Sequence, residues 1–358
     1  MTTSLDELGG WPAVLRALLE GEDLYTDLAE AAFVEVLEGR ATPAQIAAFA
    51  VGLRAKGETI QELSGMLDAM LRLATRVPLP AGVDAVDTCG TGGSQHRRIA
   101  CFNVSTIAAF VVAGAGATVC KHGGRAASAT SSSGDLLDAL GVAIDLGPEG
   151  VARCVGETGF GFCFAPRYHP AMRHAAPVRK ELGVPTLFNV LGPMANPAGV
   201  KRQVVGVSDG RLATKLIGVL ESRGAERALV VHGDDGLDEL TTTTTSTVLE
   251  LREGAIRTIT VDPADYGIPY VDASALHGGD VARNVELARS VLAGDKGAHR
   301  DIVVLNAAAG LVAGGVVDDL GAGCDAARAS IDDGRAASVL ERAITVSQAA
   351  KAAEPAAG

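Results

Sequence analysis

Apolar residues in the first 78 positions recur at intervals of three and four. Leu63, Met66, Leu67, Met70 and Leu71 form one such stripe, the spacing of a helix that buries a single face. Helix-start signals accompany the pattern. Thr42-Pro43-Ala44-Gln45 offers a hydroxyl at the N-cap, proline at the first helical position and glutamine three residues on, and Thr59 with Glu62 repeats the capping box. Consecutive short helices are predicted up to Pro78-Leu79-Pro80, whose prolines end them. The stripe reads as core, so no chemistry is assigned to it.

Beyond Pro80 the texture changes to short apolar runs separated by helical stretches. Residues 84–87, 118–120, 160–164, 203–207, 228–231 and 247–251 are predicted strands. Apolar strands alternating with helices pair in parallel with both faces covered, which defines an α/β domain. Ligands of such sheets sit beyond the carboxyl ends of the strands. The alanine-rich end, residues 349–358, offers little to pack and is expected to be disordered.

With 358 residues, 47% of them hydrophobic, the chain can bury the core of two domains or one large α/β unit. The net charge of -12 opposes a nucleic-acid backbone, so nucleic acid is not an expected partner. The longest apolar run, residues 107–120, is too short and glycine-rich for a bilayer, and the first 24 residues lack the apolar stretch of a secretion signal. No membrane association is expected. Cys89, Cys101, Cys120, Cys154, Cys163 and Cys324 show neither CxxC pairs nor clustering, which fits free thiols in a reducing cytoplasm.

Candidate chemistry collects at strand ends. Residues 83–87 run into Thr88-Cys89-Gly90-Thr91-Gly92-Gly93, and Asn103-Val104-Ser105-Thr106 opens an apolar helix. Glycines let backbone N–H groups converge on one anion, and a helix start adds unpaired N–H groups; this suits a phosphate, or else is only a tight loop. Neither GxGxxG nor a P-loop lysine is present, so the turn does not identify the carrier of the phosphate.

Lys121-His122-Gly123-Gly124-Arg125 follows another strand, as a phosphate site or a solvated basic turn. The hydroxyls of Ser128, Thr130, Ser131, Ser132 and Ser133 suit an oxyanion or a helix cap. His169, Arg173, His174, Arg179 and Lys180 form a second basic constellation. The five-residue spacing of His169 and His174 argues against a shared metal, while the planar fork of Arg179 suits a carboxylate, with a plain cationic surface as the alternative. Asp234-Asp235-Gly236-Leu237-Asp238-Glu239 is either a magnesium loop or a solvated acidic one.

Taken in order, these segments resemble the anthranilate phosphoribosyltransferase family. The resemblance rests on Thr42-Pro43-Ala44-Gln45-Ile46-Ala47-Ala48-Phe49, Arg54-Ala55-Lys56-Gly57-Glu58-Thr59, Gly90-Thr91-Gly92-Gly93, Asn103-Val104-Ser105-Thr106, Lys121-His122-Gly123, His169-Pro170-Ala171-Met172, Leu191-Gly192-Pro193, Asp235-Gly236-Leu237-Asp238-Glu239, Arg300-Asp301 and Leu305-Asn306-Ala307-Ala308, spread over nearly the whole chain.

The resemblance implies a small helical domain packed on a large α/β domain with a mostly parallel central sheet, a nucleoside phosphorylase/phosphoribosyltransferase-like fold. Residues 1–78 with a segment near 167–195 would form the first, and residues 79–166 with 196–348 the second. It implies transfer of a phosphoribosyl group from phosphoribosyl pyrophosphate (PRPP) to anthranilate in tryptophan biosynthesis, by a cytoplasmic homodimer. PRPP would lie on Gly90, Gly92, Gly93, Ser94, Asn103, Ser105, Thr106, Lys121 and Ser133, and Mg2+ on Ser105, Asp238 and Glu239. Anthranilate would meet Gly90, His122, Gly124, His169, Arg179, Gly192 and Pro193, with Lys121, His122 and Arg179 as the catalytic set.

The chain departs from the family pattern where Gly124 replaces an asparagine, where Ser94 replaces an aspartate, and in a longer loop over residues 95–102 that adds His96, Arg97 and Arg98. Two alternatives stay open: another aromatic acceptor, and a noncatalytic nucleic-acid-binding relative, which the acidic composition disfavours.

Overall fold

Both capping boxes form. In the computed structural model, which describes residues 3–92, 102–125 and 131–354, the Gln45 backbone N–H donates to the Thr42 hydroxyl at 3.3 Å and Glu62 N–H to that of Thr59 at 3.2 Å. They start the third and fourth of four helices, α1 (Gly10–Leu19), α2 (Thr26–Leu37), α3 (Pro43–Lys56) and α4 (Ile60–Arg72).

The order then becomes β1 (Ala85–Gly90), α5 (Val104–Gly114), β2 (Thr118–Gly123), α6 (Ser133–Leu140), α7 (Pro148–Thr158), β3 (Phe160–Phe164), α8 (Ala176–Leu182) and α9 (Leu187–Met194). It continues with β4 (Arg202–Gly206), α10 (Ala213–Ser222), β5 (Arg227–Gly233), β6 (Ser246–Arg252), β7 (Ala255–Val261), α11 (Val281–Leu292), α12 (Ala298–Gly314), α13 (Leu320–Asp332) and α14 (Arg335–Ala353).

A small N-terminal helical domain thus adjoins a larger α/β domain, whose sheet has strand order β3-β2-β1-β4-β5-β6-β7. The strands from β3 to β5 are parallel, and β6 and β7 extend the sheet antiparallel. The chain builds from β1 outward to β3 on one side, then returns to lay β4 against the other side of β1. That reversal opens a crevice at the carboxyl ends of β1 and β4, which is where the glycine turn leaves β1.

Successive side chains along a strand point to opposite faces, and the two cores divide accordingly. Val204 joins the core under α5 and α12, whereas Val205 joins a core shared by α1–α4, α9 and α10. In this second core Phe33, Phe49 and Leu53 pack with Val178, Phe188 and Leu191, so helices distant in sequence cover one another.

Three expectations change. Strand β7 is absent from the sequence reading because only Val261 of its residues is buried, leaving no apolar run to mark it. Lys121 and His122 lie within β2 rather than in a turn, since pairing with β3 continues to Gly123, and both are buried. The disordered end is corrected for residues 349–354, because α14 runs to Ala353. Alanine is a strong helix former, Ala350 packs in the cluster holding Leu146 and Tyr168, Lys351 Nζ donates to the Asp145 carbonyl at 2.7 Å, and Glu354 pairs with Arg167 at 3.2 Å. Residues 355–358 lie outside the described residues. Among the described residues no helix is long and apolar enough to cross a membrane.

Candidate functional site

At the crevice, Asp238 wedges against two strand ends. A Cβ on Gly206 would lie 1.8 Å from the Asp238 carbonyl oxygen, and one on Gly90 would lie 2.5 Å from its Oδ2, so the approach needs glycine on both strands. Gly92 adopts φ +67°, a conformation that favours glycine, and its N–H donates to Asp238 Oδ2 at 2.9 Å. Thr91 N–H donates to the Gly206 carbonyl at 2.8 Å and Ser208 Oγ to the Gly92 carbonyl at 3.2 Å. The turn is therefore held from the β4–β5 side. Gly93, Ser94, the loop carrying His96, Arg97 and Arg98, Cys101, Ser128 and Thr130 lie outside the described residues.

Beside the turn, α5 starts with Asn103 at its N-cap and Ser105 and Thr106 in its first turn, all buried. Lys121, only 1% exposed, donates its ammonium to the Thr88 carbonyl and lies 3.4 Å from Ser105 Oγ. Thr106 Oγ1 donates to Ser133 Oγ at 2.9 Å, joining the start of α5 to that of α6. Two helix starts, each with a partial positive charge, thus adjoin one buried ammonium, an environment for an oxyanion. The structure brings together Asn103, Ser105, Thr106, Lys121 and Ser133. By contrast Arg125 pairs with Asp135 at 2.9 Å and Asp138 at 2.8 Å.

Two buried residues escaped the sequence reading. Asp87 accepts from Asn196 Nδ2 at 2.8 Å and from His122 N–H at 3.1 Å. Burial pushes its pKa up to about 6, against the opposing pull of nearby Lys121. A lone carboxylate inside an apolar strand was the only available signal; nothing local marks Asn196.

A second cluster lies across the crevice. The rings of His122 and His169 are 5.1 Å apart. His122 Nδ1 faces the Gly192 carbonyl at 3.2 Å, and His169 Nε2 faces the Ala195 carbonyl at 2.8 Å. A carbonyl can only accept, so each of these nitrogens carries the hydrogen. Burial pulls the pKa of His122 down to about 3 and that of His169 down to about 4, leaving both rings neutral. Their remaining nitrogens, His122 Nε2 and His169 Nδ1, are buried and meet no hydrogen-bond partner among the described residues.

Arg179, on α8, holds its guanidinium 5.3 Å from the centroid of the Phe188 ring, one turn before Gly192 on α9. Burial lowers its pKa, and among the described residues no carboxylate pairs with it. A side chain at Gly192 would enter open space, and Pro193 sits in α9 with its carbonyl taken by Gln203 Nε2 at 3.2 Å. Arg173 and Lys180 are exposed, and His174 packs against Gly39, so these three members of the basic constellation serve elsewhere.

The acidic loop divides in two. Asp235 accepts from Thr241 Oγ1 at 2.8 Å and Leu237 N–H at 3.0 Å, and Asp234 from Thr247 Oγ1 at 3.1 Å, so these carboxylates brace the threonine-rich segment. Asp238 and Glu239 are both buried, and Asp238 sits against the glycine turn. Among the described residues no three His, Cys, Asp or Glu side chains converge as a cage. Two adjacent buried carboxylates, one of them against the glycine turn, instead fit magnesium, a hard ion that takes few protein oxygens and completes its shell with water and phosphate.

Residues 12–74 match the family model described as "Glycosyl transferase family, helical bundle domain", and residues 82–337 match "Glycosyl transferase family, a/b domain". Fold and site thus define a two-domain glycosyl transferase. The chain is 51% identical over 336 residues to anthranilate phosphoribosyltransferase of Chloroflexus aggregans, covering 93% of this chain and 97% of that protein. The crystal structure of anthranilate phosphoribosyltransferase from Thermus thermophilus superposes with TM-score 0.87 at 39% identity, covering 94% of this chain and 99% of that one. The Saccharomyces cerevisiae enzyme in complex with PRPP and Mg gives TM-score 0.85 at 28% identity, covering 95% and 98%. The chain belongs to the anthranilate phosphoribosyltransferase family.

Proposed function

We propose that this protein transfers the phosphoribosyl group of PRPP to the amine of anthranilate, giving N-(5-phosphoribosyl)anthranilate and pyrophosphate, a step of tryptophan biosynthesis. One juxtaposition carries the reading. Buried Lys121 and two helix starts form an anion cradle on one side of the crevice, while Arg179 stands over Phe188 on the other, without a carboxylate partner among the described residues.

In this reading PRPP lies on Gly90, Gly92, Gly93, Ser94, Asn103, Ser105, Thr106, Lys121 and Ser133. The bond from ribose C1 to pyrophosphate breaks as the amine nitrogen arrives from the opposite face, so negative charge grows on the leaving oxygens. Lys121 and the positive ends of α5 and α6 stabilise that charge more than the ground state, which is what lowers the barrier. Ser105, Asp238 and Glu239 would hold Mg2+, which supplies further charge neutralisation at the pyrophosphate.

Anthranilate lies against Gly90, His122, Gly124, His169, Gly192 and Pro193, its carboxylate on the Arg179 fork and its ring beside Phe188. An aromatic amine is neutral at pH 7 and needs no strong base. His122, with its pKa near 3, offers Nε2 as an acceptor that orients an amine N–H, and after the C–N bond forms the proton passes to this nitrogen and on to water.

We assign residues 1–78 with a segment near 167–195 to the helical domain, and residues 79–166 with 196–348 to the α/β domain, a division supported by the core that α1–α4 share with α8 and α9. Exposed Leu19, Tyr25 and Val51 on the helical domain support a homodimer through that face, and the buried free thiols support a cytoplasmic setting. Mixing purified protein with anthranilate, PRPP and magnesium should quench anthranilate fluorescence. No loss, with PRPP consumed only when a different aromatic acceptor is supplied, would overturn the acceptor assignment; no consumption of PRPP with any acceptor would overturn the reaction class.

A further inference from the structure

We infer that Asn284, which lies on α11 outside every motif quoted above, fixes the direction of the Asn103 amide and is thereby a positioning residue for PRPP, an inference that rests on the reading of Asn103 as part of the PRPP site. The polarity follows from one backbone group. The Gly279 N–H can only donate, and it donates to Asn284 Oδ1 at 3.0 Å. Asn284 must then present its Nδ2, which also can only donate, and this atom lies 3.3 Å from Asn103 Oδ1. Ser131 Oγ donates to the same oxygen at 3.0 Å.

With its oxygen engaged twice, Asn103 turns its NH2 group the other way, and among the described residues nothing accepts from it. Asn103 stands at the N-cap position of α5 next to Ser105 and Thr106, its side chain making no capping bond, and there an amide N–H suits a phosphate oxygen and an amide carbonyl would repel one. The clasp has little freedom. Asn284 is fully buried, and a Cβ on Gly278 would lie 2.6 Å from Asn284 Oδ1 and 2.9 Å from the Phe102 backbone nitrogen. The Phe102 ring meets His299 edge-on at 4.6 Å, and His299 Nε2 lies 3.0 Å from the His277 carbonyl. Residues 277–284 and the start of α12 therefore grip the entry to α5 and set its amide before substrate arrives.

Asn284→Asp tests this because it keeps shape while replacing the donor with an acceptor. Asn103 must then flip its NH2 toward the new carboxylate and aim its carbonyl into the site. Initial rates with each substrate varied in turn should show the KM for PRPP rising about tenfold in Asn284→Asp and less in Asn284→Ala, with the KM for anthranilate changed by less than about twofold. A packing role gives the reverse order, since alanine leaves a cavity and aspartate does not. In an Asn103→Ala background the effect of Asn284→Asp should nearly vanish; a direct repulsion of substrate by the new charge would persist in full.

The inference is overturned if aspartate is no worse than alanine, or if the aspartate effect survives in the Asn103→Ala background. If Asn284→Asp does not fold, Asn284→Ala carries the same cycle, and an unchanged KM for PRPP overturns the inference. Asn103→Ala alone leaving the KM for PRPP unchanged, with an unchanged Tm, would instead sink the reading of Asn103 itself.

Discussion

The two ends of the crevice are built from different materials. The proposed donor end rests mainly on backbone, the glycine turn and two helix starts, with one buried ammonium set against Thr88 and Ser105. The proposed acceptor end uses side chains from separate parts of the chain, His122 on β2, His169 before α8 and Arg179 on α8, the two histidines being oriented by the Gly192 and Ala195 carbonyls at the end of α9. Backbone geometry is hard to alter by single substitutions, so a site built from it resists change. A site built from side chains of distant segments can be retuned one residue at a time.

The largest effect should come from Lys121→Met, which keeps volume while removing the ammonium from the donor end. A loss of about 10³-fold in kcat/KM is expected from initial rates, the scale for removing a group that stabilises transition-state charge. Tm should fall too, because Asp87 loses its nearby cation.

Arg179→Ala comes next and separates the two ends. The KM for anthranilate should rise by about 10- to 100-fold, the scale of a charge-assisted hydrogen bond, with the KM for PRPP unchanged. Equal changes in both would mean that the ends are not separable.

Acid provides a third probe. The folded pKa values of His122 and His169 are depressed to about 3 and about 4 from an ordinary 6.5, so their stability contribution is present above pH 6.5 and is lost as pH falls toward those values. Asp87 works oppositely, because a raised pKa means the folded state gains stability as pH falls through about 6. Two rings outweigh one carboxylate, so wild-type stability should fall on acidification. His122→Asn should lose about 2 kcal/mol less than wild type between pH 7 and pH 5 by denaturant titration. An equal pH slope for the variant would refute the neutral, depressed state of this ring.

The smallest effect is expected of Gly124→Asn, which restores the residue of the family pattern at the acceptor end. Among the described residues the nearest atom to a Cβ there is that of Ala165 at 3.8 Å, so a Cβ is accommodated. Tm and the KM for PRPP should hold while the KM for anthranilate shifts a few-fold in steady-state assays; a shift in the PRPP constant instead would place Gly124 at the wrong end.

The motifs were legible unevenly for physical reasons. Thr42 and Thr59 announced their helices because a capping box closes within three residues. Lys121 looked like a turn residue because an ammonium inside a strand is recognisable only once Thr88 and Ser105 are seen to surround it. Asp234 and Asp235 looked as suited to magnesium as Asp238 and Glu239 until the threonines of the next segment were found to occupy them. Asn284 carried no signal, since its partner lies 181 residues away.

What the sequence by itself determined is local: the helices of the small domain, most strands of the sheet, and the glycine turn after β1, each set by patterns a few residues long. Tertiary structure alone decided the direction of chemistry at those positions. It chose which nitrogen of His122 and His169 keeps a lone pair, left Arg179 without a carboxylate partner among the described residues, and engaged the Asn103 amide oxygen with Asn284 and Ser131. The reason is that a polar group's role depends on what satisfies its other atoms, and in this fold those partners come from distant strands and helices.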